Sequence, residues 1–522
     1  MENTPQGNPK EPKISLLAKV STIVPVSLFL GILFNYFFYD KALGIGFFIF
    51  IGLIIAGFFF LASESKMKVS KQVSWLLAPL AFFSFMVFVR SSPMLTVLNV
   101  LASMLILLLI VKASFLEKIK NFIVTDWLKT IILPFSFIAP AFQTLSKIFT
   151  FKGTSEAKKK WSRIAKGVLI SLPILFVFTM FFSSADLAFN QSLSNMFSFD
   201  IESGLIGKIF TAIFFTVIFM GAYSYAFRKK SEEKTLPAKT EKEFSFGDIE
   251  TYTMLGLVNA LFFIFILFQL MYLFGGESNI SSAGVSYAEY ARHGFFELLF
   301  VSLLSFLLLW IVEKFIAKKD IEHTSSFKIL SSALVLQVFV IIISSFKRLA
   351  LYEQTYGFTS MRLYSHAFTI FLGVIFLVLL YKIFIDQREN TFAFRCFICV
   401  AGFLAIMNII NPEAFIARRN IERFNENGKI DTCYLNSLSD DAVPTTIKIL
   451  EVSDWETRRT FANELYWREK DRNFRISDPY FDGWQSFNFS RNRANQILDL
   501  ESFGNYKNSQ NDRPQCDYTD EF

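Results

Sequence analysis

Residues 42–62 read ALGIGFFIFIGLIIAGFFFLA, a run of 21 residues without a charged side chain. A helix rises about 1.5 Å per residue, so about 20 apolar residues cross the hydrocarbon core of a bilayer. Ten other blocks have the same length and character, which predicts eleven spans in all. The predicted spans lie near 20–39, 42–62, 73–89, 92–111, 164–185, 205–227, 251–274, 293–316, 327–346, 363–385 and 392–411.

The composition of the whole chain agrees with these blocks. Of 522 residues, 53% are hydrophobic, 66 are Phe and only 19% are charged, against about 25% charged in a typical soluble domain. This excludes an ordinary soluble enzyme, a disordered chain and a disulfide scaffold. The sequence therefore predicts an all-α fold: a polytopic helical membrane protein of about eleven transmembrane helices.

One further apolar segment, 128–149, is interrupted by Pro134 and Pro140. Its uncharged stretch is short, as in a re-entrant or interfacial segment. If it does not cross and the N-terminus is cytoplasmic, the inner loops hold 30 Lys and Arg and the outer loops hold 6. Cytoplasmic loops are enriched in these residues, so this non-crossing topology is the prediction. It places the C-terminus outside.

The last hundred or so residues are too polar to span and carry helical patterns at 454–470 and 484–500. They predict a small α-helical extramembrane domain, referred to below as the tail. Cys433 and Cys516 could pair if the tail faces an oxidising compartment. The predicted divisions are a cytoplasmic segment 1–19, a four-helix region 20–127, the re-entrant or interfacial segment with a basic loop 128–163, a seven-helix region 164–411, the tail 412–504 and a disordered end 505–522.

Arginines and tyrosines gather at the predicted outer surface in FKRLALYEQTYGFTSMRLYSHAF, residues 346–368. Guanidinium groups bind both oxygens of a phosphate or carboxylate, and Tyr hydroxyls can assist. The same residues also suit a simple interfacial anchor. If this is an anion or lipid-headgroup site, the residues predicted to bind the ligand are Arg348, Tyr352, Arg362, Tyr364 and, just after the last predicted span, Arg418.

Acidic residues near the same surface could hold those arginines in place. Outer arginines run against the usual charge bias, so we expect them to have specific partners. The segment EYARHGFFEL spaces Glu289, His293 and Glu297 four residues apart, which suits a metal or acid–base site or, alternatively, charge compensation with Arg292. The supporting polar residues are Asp186, Glu289, Arg292, His293, Glu297 and Glu353.

Several functions lack their sequence signature. The chain has no Gly-x4-Gly-Lys-[Ser/Thr], no Gly-x-Ser-x-Gly and no His-Glu-x2-His motif, so neither ATP coupling nor a known hydrolase is indicated. No metal and no cofactor are expected. No basic stripe carries interleaved aromatics, which argues against nucleic acid as a partner.

In chain order, SSADLAF, YARHGFFEL, RLALYEQTYGFTSMRLY, NPEAFIARRNIERF and YLNSLSDDAVP resemble a bacterial integral-membrane family, the domain of unknown function type 4173, near type 4153. The resemblance covers about residues 161–450. It implies a multi-pass protein of the bacterial inner (plasma) membrane without implying an activity. Relatives often have Arg where this chain has His293, which weakens the metal hypothesis.

Two functional hypotheses follow, and whether the protein is an enzyme stays open. In the first, which we prefer, it binds an anionic lipid or small anion at its outer face as a transporter, envelope scaffold or sensor. Its partners are then membrane lipids and a protein bound by the tail. In the second, it is a membrane transferase acting on a lipid-linked glycan or phospholipid, with Asp186 or Glu297 as base. That hypothesis rests on fold-level analogy.

Overall fold

In a computed structural model, the structure describes residues 19–114, 118–148, 205–228, 248–274, 295–315, 325–386, 388–452, 454–476 and 483–500. Every regular element in these ranges is helical. The helices of the membrane part are α1 (Val20–Phe38), α2 (Ile45–Glu64), α3 (Lys71–Val89), α4 (Pro93–Ala113), α5 (Val124–Ile131), α6 (Ile138–Ile148), α7 (Leu205–Ala226), α8 (Asp248–Phe274), α9 (Phe295–Phe315), α10 (Ser325–Tyr356), α11 (Ser360–Phe384) and α12 (Glu389–Ile410).

Nine of the described helices are long and apolar enough to cross a membrane, and the bent α5–α6 pair could make a tenth. Helix α9 is 21 residues long but carries Glu297, Glu313 and Lys314. Ten of the eleven predicted spans coincide with described helices, while 164–185 lies outside the described residues. The prediction of a polytopic helical membrane protein is confirmed.

The bundle has two distinguishable ends. At one, which we name the tail end, the backbone N–H of Ile45 donates to Phe487 of the tail at 2.8 Å. At the other, the far end, Lys19 pairs with Glu64 at 3.8 Å and Lys314 with Glu389 at 3.8 Å. Charged pairs at the ends of apolar helices are typical of membrane boundaries.

The segment with two prolines forms α5 and α6, which meet at a bend of 65°. The start of α5 is held by Lys112, which donates to the Asp126 carbonyl at 2.9 Å near the far end of α4. Thr144 of α6 bonds to Ser224 at 2.7 Å, close to the far end of α7. Helices α5 and α6 thus both contact the far end of the bundle, as in a re-entrant segment.

Two hydrophobic cores lie side by side. The first joins α1–α4 with α7, and the second joins α8–α11. Gly31 lets α1 and α7 approach closely, because a Cβ there would lie 2.5 Å from the Ala212 carbonyl oxygen; small residues serve this purpose in membranes. Helix α12 belongs to both cores, through Met407 in the first and Phe392 in the second.

The tail begins directly after α12. Asn411 adopts a left-handed φ of 55° and Pro412 opens the next helix, a position that suits proline because the first helical residue needs no N–H donor. The tail helices are α13 (Pro412–Asn427), α14 (Thr432–Ser437), α15 (Val443–Thr446), α16 (Ile449–Val452), α17 (Trp455–Ile476) and α18 (Phe489–Leu500).

The tail has its own core, which includes Ile416, Leu435, Phe461 and Leu498. Cys433 is disulfide-bonded, whereas Cys396 and Cys399 of α12 are free thiols. Cys516, the expected partner of Cys433, lies outside the described residues, as does the predicted disordered end.

One buried carboxyl makes the tail sensitive to pH. Burial raises the pKa of Glu464 from 4.5 to about 7, while a hydrogen bond from Thr432 opposes the shift. The folded tail therefore binds more protons than the unfolded tail between these values, and its free energy of unfolding falls as pH rises from 4.5 to 7. We expect Glu464→Gln to raise that free energy at pH 8 by at most about 3 kcal/mol, and to have little effect near pH 4.5.

The measurement is the urea midpoint of the tail in lipid nanodiscs, read by hydrogen-exchange pulses at one fixed labelling pH. Glu456→Gln, an exposed change on the same helix, is the matched control. A wild-type urea midpoint that is as high at pH 8 as at pH 5 would contradict the prediction.

Candidate functional site

The turn between α10 and α11 is held in place by the tail. Gly357 has φ +84°, a left-handed conformation that glycine adopts without strain. In α13, the Asn420 side chain accepts from the Phe358 N–H at 2.8 Å and donates to the Phe358 carbonyl at 2.8 Å. This two-way hydrogen bond fixes the tail onto the ends of two membrane helices.

Two guanidinium groups meet at this turn. Arg362 Nη1 donates to the Gly357 carbonyl at 2.6 Å. Arg423, three residues after Asn420, places its Nη1 3.1 Å from the point that a Cβ on Gly357 would occupy. Arg423 also donates to the Gln354 carbonyl at 3.2 Å. The membrane part and the tail therefore each place one cation against Gly357.

Aromatic side chains lie beside the turn at Gly357. The Arg362 guanidinium lies 4.2 Å from the Tyr352 ring centroid, a cation–π contact. The Tyr434 hydroxyl accepts from the Ser360 N–H at 2.7 Å, and burial raises the pKa of Tyr434, which keeps it a neutral hydroxyl. We name the set of Gly357, Tyr352, Arg362, Arg423 and Tyr434 the arginine corner.

A buried acid–base pair lies one helical turn below the corner. His366 Nε2 of α11 is 2.9 Å from Glu353 Oε2 of α10. The imidazole also packs against Phe346, with ring centroids 4.3 Å apart. Arg348 is buried on the same helix as Glu353. Ionisable groups are costly inside a membrane protein and are commonly functional there.

A second polar cluster joins the tail to α3 and α4. Asp441 accepts from the backbone N–H groups of Ser91 and Ser92, both at 2.8 Å, which caps the start of α4. It also accepts from Ser490 at 2.5 Å and lies 3.9 Å from Arg90. We name Asp441 with these four residues the docking cluster, since it joins the two parts of the chain.

At the far end, Lys382 of α11 and Glu313 of α9 form a hydrogen-bonded ion pair. Both residues are almost fully buried, and Lys382 also lies 5.0 Å from the Phe392 ring. Lys382 falls within the predicted span 363–385. The helix ends at Phe384, one residue from the predicted end.

The structure brings some of the predicted site residues together. Tyr352 and Arg362 lie in the arginine corner, with Arg348 and Glu353 below it. Tyr364 packs against the first hydrophobic core. Arg418 is exposed on α13, and Glu297 is exposed in the first turn of α9. The predicted residues outside the described part of the chain are Asp186, Glu289, Arg292 and His293.

Among the described residues, no group of three or more His, Cys, Asp or Glu side chains is placed to hold a metal ion. Asn420, Arg423 and Asp441 were not among the site residues predicted from the sequence. Asn420 and Arg423 stand three apart on one helix face, a spacing that could have linked the two residues. Asp441 offered no such local signal.

A family model described as "Domain of unknown function (DUF4153)" matches residues 77–449. This is the neighbour of the type that the motifs suggested, and the match begins further towards the N-terminus than the motifs do. It includes the arginine corner and the docking cluster apart from Ser490. No curated protein and no solved structure matches the chain.

Proposed function

The chain belongs to the DUF4153 family, and from its structure we propose that this multi-pass membrane protein binds a phosphate-bearing anion at the arginine corner. The observation that carries the proposal is the meeting of Arg362 and Arg423 at Gly357. Two cations held together repel each other, and an anion between them relieves the repulsion through charge-assisted hydrogen bonds. Within the described residues, Arg362 forms no ion pair with a carboxylate.

The surroundings favour a lipid headgroup as the source of the phosphate. Tyr356 and Met361 flank the turn and are exposed, and the corner lies at the tail end, at the depth where headgroups meet apolar helices. A free phosphate offers the same chemistry to the two arginines. The common ligand is therefore a phosphate group, and the experiment separates its two sources.

The position of the corner favours a scaffold or sensor over a transporter. The tail supplies Arg423 and Tyr434 while the membrane part supplies Arg362 and Tyr352, so an anion bound there joins the two parts. We place the tail on the extracytoplasmic side of the bacterial inner membrane. The disulfide at Cys433 and the loop-charge distribution both support that orientation.

The test is lipid retention by Arg362→Ala/Arg423→Ala in nanodiscs containing phosphatidylglycerol and phosphatidylcholine, read by native mass spectrometry. We expect the double variant to bind phosphatidylglycerol at least about tenfold more weakly than wild type, since hydrogen bonds to charged groups each contribute about 1.5–3 kcal/mol. A second arm measures inorganic phosphate binding by calorimetry in phosphatidylcholine nanodiscs. Binding of phosphatidylglycerol alone, or of inorganic phosphate alone, identifies the source of the phosphate group.

The matched control is Arg419→Ala. Arg419 is an exposed arginine of the same tail helix and pairs with Glu422 at 2.8 Å, so its loss removes one charge without touching the corner. Equal phosphatidylglycerol retention by wild type and the double variant, with no phosphate binding by either, would overturn the proposal. A loss in Arg419→Ala as large as in the double variant would show that only net charge matters.

A further inference from the structure

We propose that Glu353 and His366 form a proton-binding site inside the membrane part, and that its protonation strengthens anion binding at the arginine corner. This inference rests on the proposed function and adds its regulation. It starts from a pair of groups that the corner itself does not use.

The pair is largely buried but keeps a small exposed fraction. His366 is 8% exposed and Glu353 is 4% exposed, and their facing atoms are 2.9 Å apart. Helices α10 and α11 supply one member each. Burying two titratable groups is costly, and a purely packing role would be met by apolar residues of similar size.

The remaining polar atoms of the pair show where a proton can bind. His366 Nδ1 and Glu353 Oε1 are both buried and have no hydrogen-bond partner in the structure. With Glu353 ionised, a neutral His366 donates its Nε2–H to Oε2 and leaves an Nδ1 lone pair. One proton from water can bind that lone pair, giving an imidazolium that keeps the bond to Oε2. No other bond changes.

The surrounding charges determine the effect of this proton. With Glu353 ionised and His366 neutral the pair carries one negative charge, and protonation adds one positive charge and brings the pair to neutrality. Helix α12 carries no Asp, Glu, Lys or Arg after Arg395. The charged and titratable groups near the tail ends of the described helices around the pair are Lys347, Arg348, Tyr352 and Tyr356 on α10, Arg362 and Tyr364 on α11, Glu297 on α9, and Glu413, Arg418, Arg419, Glu422 and Arg423 on α13.

The new charge lies next to the corner. Arg362 and His366 are four residues apart in α11, so they are neighbours on one helix face. A positive charge at His366 attracts an anion held by Arg362. At a separation of about 10 Å and an effective dielectric constant of about 20, this attraction increases affinity by about tenfold. Anion binding in turn favours protonation, because coupling between two sites is reciprocal.

The experiment measures the Kd of short-chain phosphatidylglycerol for the protein in phosphatidylcholine nanodiscs at pH 5.5 and pH 8.0. A phosphodiester keeps its charge over this range, so a change in Kd reports the protein. We expect wild type to bind about tenfold more tightly at pH 5.5 and His366→Gln to show one Kd at both values. Glu353→Gln is the second variant, and His323→Gln serves as the histidine control.

A separate readout does not depend on the anion. The chain has three histidines, so the NMR signal of labelled histidine that disappears in His366→Gln identifies His366, and we expect it to titrate between pH 5.5 and pH 8.0. Binding that is equally tight at both pH values, or a His366 signal that does not titrate, overturns this inference alone. Absence of binding at both pH values overturns the proposed function instead.

Discussion

Asp441→Ala is expected to release the tail from the membrane helices. The Asp441 carboxylate accepts from the N–H groups of Ser91 and Ser92, the two residues that precede α4, and from Ser490, and it lies beside Arg90. Removing it leaves a partly buried guanidinium and two backbone donors without their acceptor. Breaking a buried pair of this kind costs about 3–5 kcal/mol. Hydrogen exchange in nanodiscs should show lost protection at the start of α4 and in α18.

The neighbouring residue offers a matched control. Asp440 pairs with Arg468 at 2.9 Å inside the tail, and it forms no hydrogen bond or ion pair with the described membrane helices. Asp440→Ala should therefore weaken the tail locally and leave α4 protected. Unchanged exchange at the start of α4 in Asp441→Ala would show that the docking cluster does not hold the tail.

Glu313→Ala and Lys382→Ala are each expected to destabilise the bundle by about 3–5 kcal/mol, because either change leaves one buried charge without its partner. The double variant Glu313→Leu/Lys382→Met should recover most of that loss, since apolar residues of similar size often replace a buried ion pair at no cost. Thermal unfolding in nanodiscs gives the comparison.

Lys314→Ala is the control for this pair, because Lys314 pairs with Glu389 in a more exposed position. We expect an effect of about 1 kcal/mol or less. A double variant as unstable as either single variant would show that Glu313 and Lys382 act through contacts other than their mutual charge.

Much of the membrane fold could be predicted from the sequence, because span length and hydropathy depend only on local residues. Ten predicted spans overlap described helices, and the last of them, predicted to end at residue 411, ends at Ile410. The pairs between helices were harder to predict. Lys382 of α11 pairs with Glu313 of another helix, and that partner is 69 residues away in the sequence.

The candidate site was predicted only in part, because some of its contacts join residues that are far apart in the sequence. The clustering of Arg and Tyr around Gly357 was visible locally and selected Arg362 and Tyr352. The contribution of the tail was not, because Asn420 meets Phe358 across 62 residues and no local pattern encodes that contact. Arg90 and Asp441 are likewise far apart in the sequence, and the hydropathy pattern does not predict the contact between them.

The docking cluster also has a consequence for biosynthesis. When α3 and α4 enter the membrane, the chain that will supply Asp441 has not been made, since the bond to Ser91 spans 350 residues. The N–H groups of Ser91 and Ser92 therefore lack this acceptor while α3 and α4 insert. Insertion of these early helices precedes the assembly of both the docking cluster and the arginine corner, because residues from later in the chain complete each of them.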